Sequence, residues 1–461
     1  MRAKLFDTMA AAQMLSPDLP KGLGRAVTIL CDVRPWKHLK ESDLDLYNRM
    51  DVAATHCLAI KQLEVLRGTG QLPVFEAMMR GLPVLMRMSQ RGIRLDPIYQ
   101  QEWKKKLQHD LTDAIGEWPV PAVSPTSPPQ VLKWINSILP YPESDTTEGT
   151  LKKVAKAIPQ VKIILKIRKA IKALSTYAEV NAKDGKVHPQ YLVQDRDETK
   201  ANFTQKGQGA GTGRPIARDP NIQNQTRAAR RLYLPSDSTW CLASLDWSQA
   251  EARYDAARSG DERLAEAIDR PGGVPGWIQE LLSIDRVPAK GTYYGTRNLG
   301  GPKTISEHIN SDGFEITPNQ VAEIQKEMFN LFPKWKAHRE AIIASGRALG
   351  YVTNAFGRRR YFYHKSAAPS MVGFDPQSGV ADMLWRILPE ADDKATLLAT
   401  VHDSLLIEAP EGAIETRVEA VREVMEQVFD EVAPGFKVPV EVKIGAPGQS
   451  WGEMEEAADN G

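Results

Sequence analysis

The feature that most constrains this chain is a pair of apolar runs that each deliver an aspartate. Residues 240–246, WCLASLD, are apolar up to the acid on which they stop, and residues 396–410, TLLATVHDSLLIEAP, form two such runs bent around His402 and Asp403. Short apolar runs bounded by turn signals read as buried strands, and the second pair reads as a β-turn-β hairpin. A sheet is therefore required, with Asp246 at a strand end and Asp403 at a hairpin tip. One fold can bring the two tips together.

A single aspartate at a strand end is more often a turn or helix-cap residue than a functional one. Two of them on neighbouring strand ends are different, because phosphoryl transfer builds negative charge on the attacking and leaving oxygens. Two divalent cations held between carboxylates stabilise that charge. A helix is expected directly after Asp246, at WSQAEAR, leaving the carboxylate exposed at the end of its strand.

Other classes are excluded quickly. The 461 residues, 42% hydrophobic and 25% charged, can bury substantial cores and fold as two or more units. A net charge of +1 argues neither for nor against nucleic acid, so local clusters must decide. Cys31, Cys57 and Cys241 are odd in number and form no C-x-x-C pair, which supports neither a disulfide framework nor a zinc site and suits a reducing cytoplasm. The amino-terminal MRAKLFDTMAAAQML is interrupted by Asp7 and Gln13 and shows no clear cleavage site, and no segment reads as a membrane span. The Gly-rich stretch 207–213 does not satisfy G-x-G-x-x-G, and no P-loop lysine follows Gly300 at the required spacing.

The rest of the chain is largely helical in pattern. A helix is expected from Asp43 onward, another over FEAMMRGLPVLMRMSQRGIRLD (75–96), and a loop through the Pro-rich patch from Pro119 to Pro129. Between Lys152 and Lys172 lie eight basic residues and no acidic one. There Ile164, Ile167, Ile171 and Leu174 share one helical face, and Lys162, Lys166 and Lys169 share the opposite face. A solvated surface explains such a face as well as a phosphate-backbone contact does; its position before the aspartates favours the contact. Thr317 to Tyr351 reads as a helix pair broken at Pro333, and VPVEVKIG as a late strand. The class is α+β.

Taken together, DWSQAEAR followed by YDAARSGDERL, then VHDSLLIEAP, resemble motifs A and C of family A DNA polymerases, the DNA polymerase I type. The resemblance runs from about Phe75 to the end of the chain. It implies a right-hand fold: palm at 206–257 and 370–461, fingers at 258–369, thumb at 73–205. It implies that Asp246 and Asp403 are catalytic and hold two Mg²⁺ ions, with Mn²⁺ as an alternative. In DRVPAKGTYYG, Arg286, Lys290, Tyr294 and Gly295 resemble motif B, so the first three would contact the incoming triphosphate, with Gln249 and Glu251 of motif A beside it. The Glu251 carboxylate would crowd the sugar C2′ and reject a ribonucleotide.

TGRPIARDPNIQNQ is similar to the family's TGR and DPNLQN segment, which makes Arg214, Asn221, Gln223 and Asn224 candidate primer-template contacts. Gln377 resembles the glutamine that opens the template-lining helix, His402 would face the primer terminus, and Lys162, Lys166 and Lys169 would meet DNA from the thumb. LKIRKAIKALSTY, GRALGYVTNAFGRRRYF and the closing SWGE also fit the family. The implied partners are primer-template DNA and dNTPs, with no membrane.

Several positions depart from the pattern. Residues 1–72 resemble the tail of a 3′–5′ exonuclease domain, with Tyr47 and Asp51 in Y-x-x-x-D but without that domain's earlier metal-binding motifs. Asp51 alone is expected to be idle, and a separate exonuclease or processivity factor is an expected partner. Ser404 stands where the family usually has glutamate, Asn298 where a second tyrosine is common, and PGGVPGWIQELL lacks the family's histidine. Such departures suggest a viral or mobile replication system, which would place the chain in a host cytoplasm. Pro288 is compatible with a fingers helix that starts near Val287. Tyrosine at 294 resembles relatives that accept dideoxynucleotides readily. Two rivals stand beside this reading: a single-subunit-type ribonucleotide polymerase, against which Glu251 argues, and a non-catalytic primer-template-binding subunit.

Overall fold

A computed structural model describes residues 5–460 apart from 20, 181, 183, 194–209, 312, 363–366 and 437. The start of the Gly-rich stretch, 207–209, lies outside the described residues.

A four-stranded antiparallel sheet carries both aspartates. The strand Trp240–Trp247 sits between Val440–Ile444 and Ser404–Pro410, and Thr396–Val401 lies at the far edge. Side chains alternate across a strand, so one register determines both faces. Cys241, Ala243, Leu245 and Trp247 point into the largest core, while Leu242 joins a second core on the opposite face, the face shared by Ser244 and Asp246.

Under the first face runs the helix Ala368–Lys394, buried on every side along most of its length, as a helix in the centre of a core must be. It packs against the helix Leu72–Arg91, where Gly81 faces the ring of Trp385 so closely that an added Cβ would lie 2.6 Å from it. Buried polar groups here are bonded: Tyr254 donates its hydroxyl to Asp375 at 2.8 Å and accepts from the Ala355 amide at 2.8 Å. Arg358 forks onto Asp382 at 2.7 and 3.0 Å.

A third cluster is helical and includes Arg286–Arg297, Pro302–Ser311, Pro318–Leu331 and Pro333–Leu349. The break in the 317–351 pair falls at Pro333, and Asp285 precedes a helix whose first turn holds Pro288, where the missing N–H costs nothing. Gly291 and Gly295, poor helix formers, lie where a Cβ would strike Ile309 and Ile305 at 2.7 and 2.5 Å. Their smallness lets the two helices approach. The basic helix spans Val161–Ala173 with Val161, Ile164, Ile167 and Ala170 buried and Lys162, Lys166 and Lys169 exposed.

Two expectations need correction. The helix over 75–96 ends at Arg91, because Gly92 turns the chain at φ 64° and Ile93–Leu95 become a strand. The helix carrying Gln377 begins at Ala368, so Gln377 lies within it rather than opening it. Cys31 and Cys57, far apart in sequence, bring their free thiols to 2.9 Å where Leu23–Leu30 meets Leu44–Gly68.

Candidate active site

The sheet register builds the site. Asp246 pairs across one side with Ser404 and across the other with Glu441. Directly opposed residues share a face, so the three stand in one row, with Ser244 and Lys443 in the next. Asp403 occupies the two-residue turn between its strands, one position before Ser404. His402, the first turn residue, adopts φ 57°, a left-handed conformation that glycine usually supplies and that a non-glycine residue holds only when its surroundings impose it. Asp246, Asp403, Glu441, Arg230 and His402 line one cleft.

The electrostatics of this cleft favour a cation. Asp246 is pushed up to about 7, first by desolvation within the cleft and then by the charges of Asp403 and Glu441. Solvent reaches its carboxylate. The desolvation is that of a concave wall, not of a closed core. Burial raises Asp403 as well, against the pull of Arg214, and His402 is lowered by burial and by Arg214. Two hard carboxylates that resist being charged together are suited to Mg²⁺, which binds through one or two carboxylates plus water and phosphate oxygens. Among the described residues no three His, Cys, Asp or Glu side chains converge as a metal cage. Asp246 and Asp403 are the candidate donors.

The helix does not start directly after Asp246: the strand runs on to Trp247, and the chain then turns through Gln249, at φ 53°, into the helix Ala250–Ser259. Its first turn presents Glu251 to two guanidiniums: Arg214 at 2.6 Å and Arg297 at 2.8 Å. Burial would raise Glu251, but Arg297 and Arg214 hold it below the usual carboxylate range. The same Arg214 nitrogen reaches Asp403 at 3.1 Å. Motif A, motif C and the TGR segment thus meet at one arginine.

A second cleft opens beside the first. Arg286, Lys290 and Tyr294, one helical face, line it together with Gln249, Arg253, Arg270, Gly272 and Gly273. Lys290 and Arg286 are exposed to it. Gly272 and Gly273 take φ 81° and 64° at the start of the helix Gly273–Leu282, and side chains there would strike Arg286 and Gln249.

Other expected contacts fare differently. Gln223 is buried, with its amide donating to the Pro215 carbonyl at 3.0 Å and accepting from the Ala217 amide at 3.1 Å, so it braces the loop instead of facing a groove. Asn221 accepts from the Gln223 amide at 3.1 Å as a local cap, and Asn224 is exposed. Lys166 pairs with Glu117 at 3.1 Å on the surface. Gln377 is half-buried. Residues that the sequence did not single out include Glu441, Arg253, Arg270 and Arg297. The alternation in VPVEVKIG placed Glu441 on a strand face, but only the register sets it beside Asp246; nothing in the sequence pointed to Arg297.

The fold defined by this sheet, helix and helical cluster is a right-hand polymerase fold. It is similar to the POL domain of Pol1 from M. smegmatis, solved in complex with DNA primer-template and dNTP, with a TM-score of 0.81 and 20% identity over 97% of this chain and 82% of that one. Residues 99–453 match DNA polymerase family A, and the chain belongs to that family. It is 30% identical to "DNA polymerase I, thermostable" of Thermus filiformis over 81% of this chain and 47% of that protein. It is 28% identical to DNA polymerase I of Bacillus subtilis (strain 168) over 97% of this chain and 55% of that protein. The chain spans about half the length of these relatives. Among the described residues no helix is long and apolar enough to cross a membrane.

Proposed function

We propose that the chain is a DNA-directed DNA polymerase that extends a primer 3′-hydroxyl with dNMP, drawn from dNTP and directed by a template strand. The observation that carries this reading is the junction of two clefts: the aspartate pair Asp246 and Asp403 in one, the cationic face of Arg286 and Lys290 in the other, with the Asp246–Gln249 turn between them. The primer oxygen attacks the α-phosphate, that bond forms, and the bond to pyrophosphate breaks. Asp246 and Asp403 would hold two Mg²⁺ ions, which when bound stabilise charge on the entering and leaving oxygens. Arg286 and Lys290 neutralise the triphosphate, Tyr294 and Gln249 flank it, and Glu251 walls off the sugar C2′. His402 faces the primer terminus. Lys162, Lys166, Lys169, Asn221, Asn224 and Gln377 line the path of the duplex, from a thumb at 73–205 to the palm at 206–257 and 370–461, with fingers at 258–369. Arg214 would exchange its carboxylates for the duplex when DNA is bound.

Proofreading is not part of this reading. The Asp51 carboxylate accepts from Trp36 at 2.6 Å and Lys37 at 2.7 Å, a structural engagement. The test is primer extension with Mg²⁺ and dNTPs by wild type, Asp246→Ala and Asp403→Ala. Extension lost in both variants supports the assignment; tight primer-template binding without extension refutes it. Degradation of a mismatched primer end by wild type but not by Asp51→Ala would refute the non-proofreading part.

A further inference from the structure

Arg297 sits at the carboxyl end of the helix Arg286–Arg297, three residues beyond Tyr294, and its guanidinium enters between two carboxylates of a different helix. Its Nη1 lies 2.8 Å from Glu251, and its Nε donates to Asp255 at 2.9 Å. Glu251 and Asp255 are one turn apart on Ala250–Ser259, so they face the same way and a forked donor spans both. The end of the arginine's own helix is fixed in turn, because Arg339 donates to the carbonyls of Arg297 at 2.8 Å and Thr296 at 2.7 Å. The side chain of Arg297 is 10% exposed, and its charged form is held strongly: Asp255 and Glu251 outweigh the burial that would otherwise lower it.

We infer that Arg297 is the positioning residue for Glu251 and through it sets the enzyme's discrimination between deoxy- and ribonucleotides. The inference rests on the proposed reading of Glu251 as the wall against the sugar C2′. One oxygen of that carboxylate is held by Arg214 and the other by Arg297. Arg214 turns to the duplex when DNA is bound, but Arg297, itself fixed by Asp255, keeps its hold, and a carboxylate held in this way cannot swing round to a 2′-hydroxyl. It presents a fixed obstacle. A loosened glutamate could turn, accept the hydroxyl and convert rejection into binding, which is why selectivity against an added hydroxyl depends on how rigidly the rejecting group is held. Lysine keeps the charge but not the fork, so it can satisfy one of the two acids but not both.

The experiment measures kcat/KM for matched dNTP and rNTP in wild type, Arg297→Lys, Arg297→Met and Glu251→Ala, with melting curves for each. The expected result is a fall of about tenfold or more in the dNTP to rNTP ratio in both Arg297 variants, toward that of Glu251→Ala. A merely structural defect would lower both substrates together and leave the ratio standing. If removing the cation prevents folding, Arg297→Met is combined with Asp255→Asn, which discharges the acid left bare and keeps Glu251 as reporter. A ratio within about twofold of wild type in folded Arg297 variants, with Glu251→Ala lowering it, overturns the inference. A ratio unmoved by Glu251→Ala overturns both the wall and its positioning residue while primer extension stands; a wild type that extends no primer removes the polymerase reading itself.

Discussion

Lowering the pH from about 8 to about 6 should weaken the free protein's hold on a divalent cation roughly tenfold, because Asp246 must lose its proton before it can serve as a ligand. Its carboxyl is pushed up to about 7 by desolvation in the cleft, by Asp403 and by Glu441. For a group titrating there, the ionised fraction is roughly one in eleven at the lower pH and nine in ten at the higher, and apparent affinity follows that fraction. The sign follows from the raised value. The folded chain favours the protonated acid, so cation affinity is lost as pH falls through 7. For the same reason this group's contribution to the stability of the metal-free fold declines as pH rises from the ordinary carboxylate range toward 7. The assay is titration with Mn²⁺ followed by the electron paramagnetic resonance of the free ion, without DNA or nucleotide, since both would add ligands of their own. Glu441→Gln removes one of the raising charges and should shift the midpoint downward, shrinking the step. Asp246→Asn should retain only the shallower dependence due to Asp403, which is also raised. A wild-type affinity that changes less than about twofold over this range would refute the reasoning.

Two further outcomes follow from the fold. Lys290→Ala removes an exposed cation from the cleft it shares with Arg286 and should lower kcat/KM for dNTP about 10- to 100-fold, the loss of one charge-assisted contact to a phosphate; steady-state kinetics at fixed primer-template would show it. Gly379→Ala would place a Cβ 2.2 Å from the ring of Tyr254, whose hydroxyl is bonded to Asp375 and Ala355 and has nowhere to move. Overpacking of this kind costs about 1–3 kcal/mol, read by calorimetry as a Tm lowered by several degrees. Gly149→Ala, with open space around it, is the control.

How much of this was legible in sequence depends on whether the signal was local. The strands carrying Asp246 and turning at Asp403 were written in runs of apolar residues, and the pairing of the two that flank Asp403 followed from hairpin geometry. The cationic face of Arg286, Lys290 and Tyr294 was equally readable, because helical spacing alone puts those residues together. What was not readable was register. Glu441 and Asp246 are neighbours only because Val440–Ile444 pairs with Trp240–Trp247 in one particular alignment, and a shift by one residue would turn Glu441 to the other face. Gln223 was misplaced for a related reason. Its polar side chain suggested a DNA contact, but a loop that must bury its own backbone amides and carbonyls uses the nearest amide group to satisfy them.

Arg214 and Arg297 show how a local pattern and a tertiary arrangement combine into one device. Carboxylates crowd the end of the Trp240–Trp247 strand and the helix that follows it, and left unpaired they would destabilise the fold by mutual repulsion. Two guanidiniums relieve that repulsion unequally. Glu251 is gripped by both and stays ionised, Asp255 is gripped by Arg297, Asp403 is reached by Arg214 from one side, and Asp246 has no arginine within bonding distance among the described contacts. The carboxylate that stays without a partner is also the one pushed highest, so the electrostatic demand of the site is concentrated where a bound cation would sit. An arginine on Asp246 would have satisfied that demand within the protein and left the cation nothing to gain. Leaving it unmet makes cation binding and the completion of the charge balance the same event.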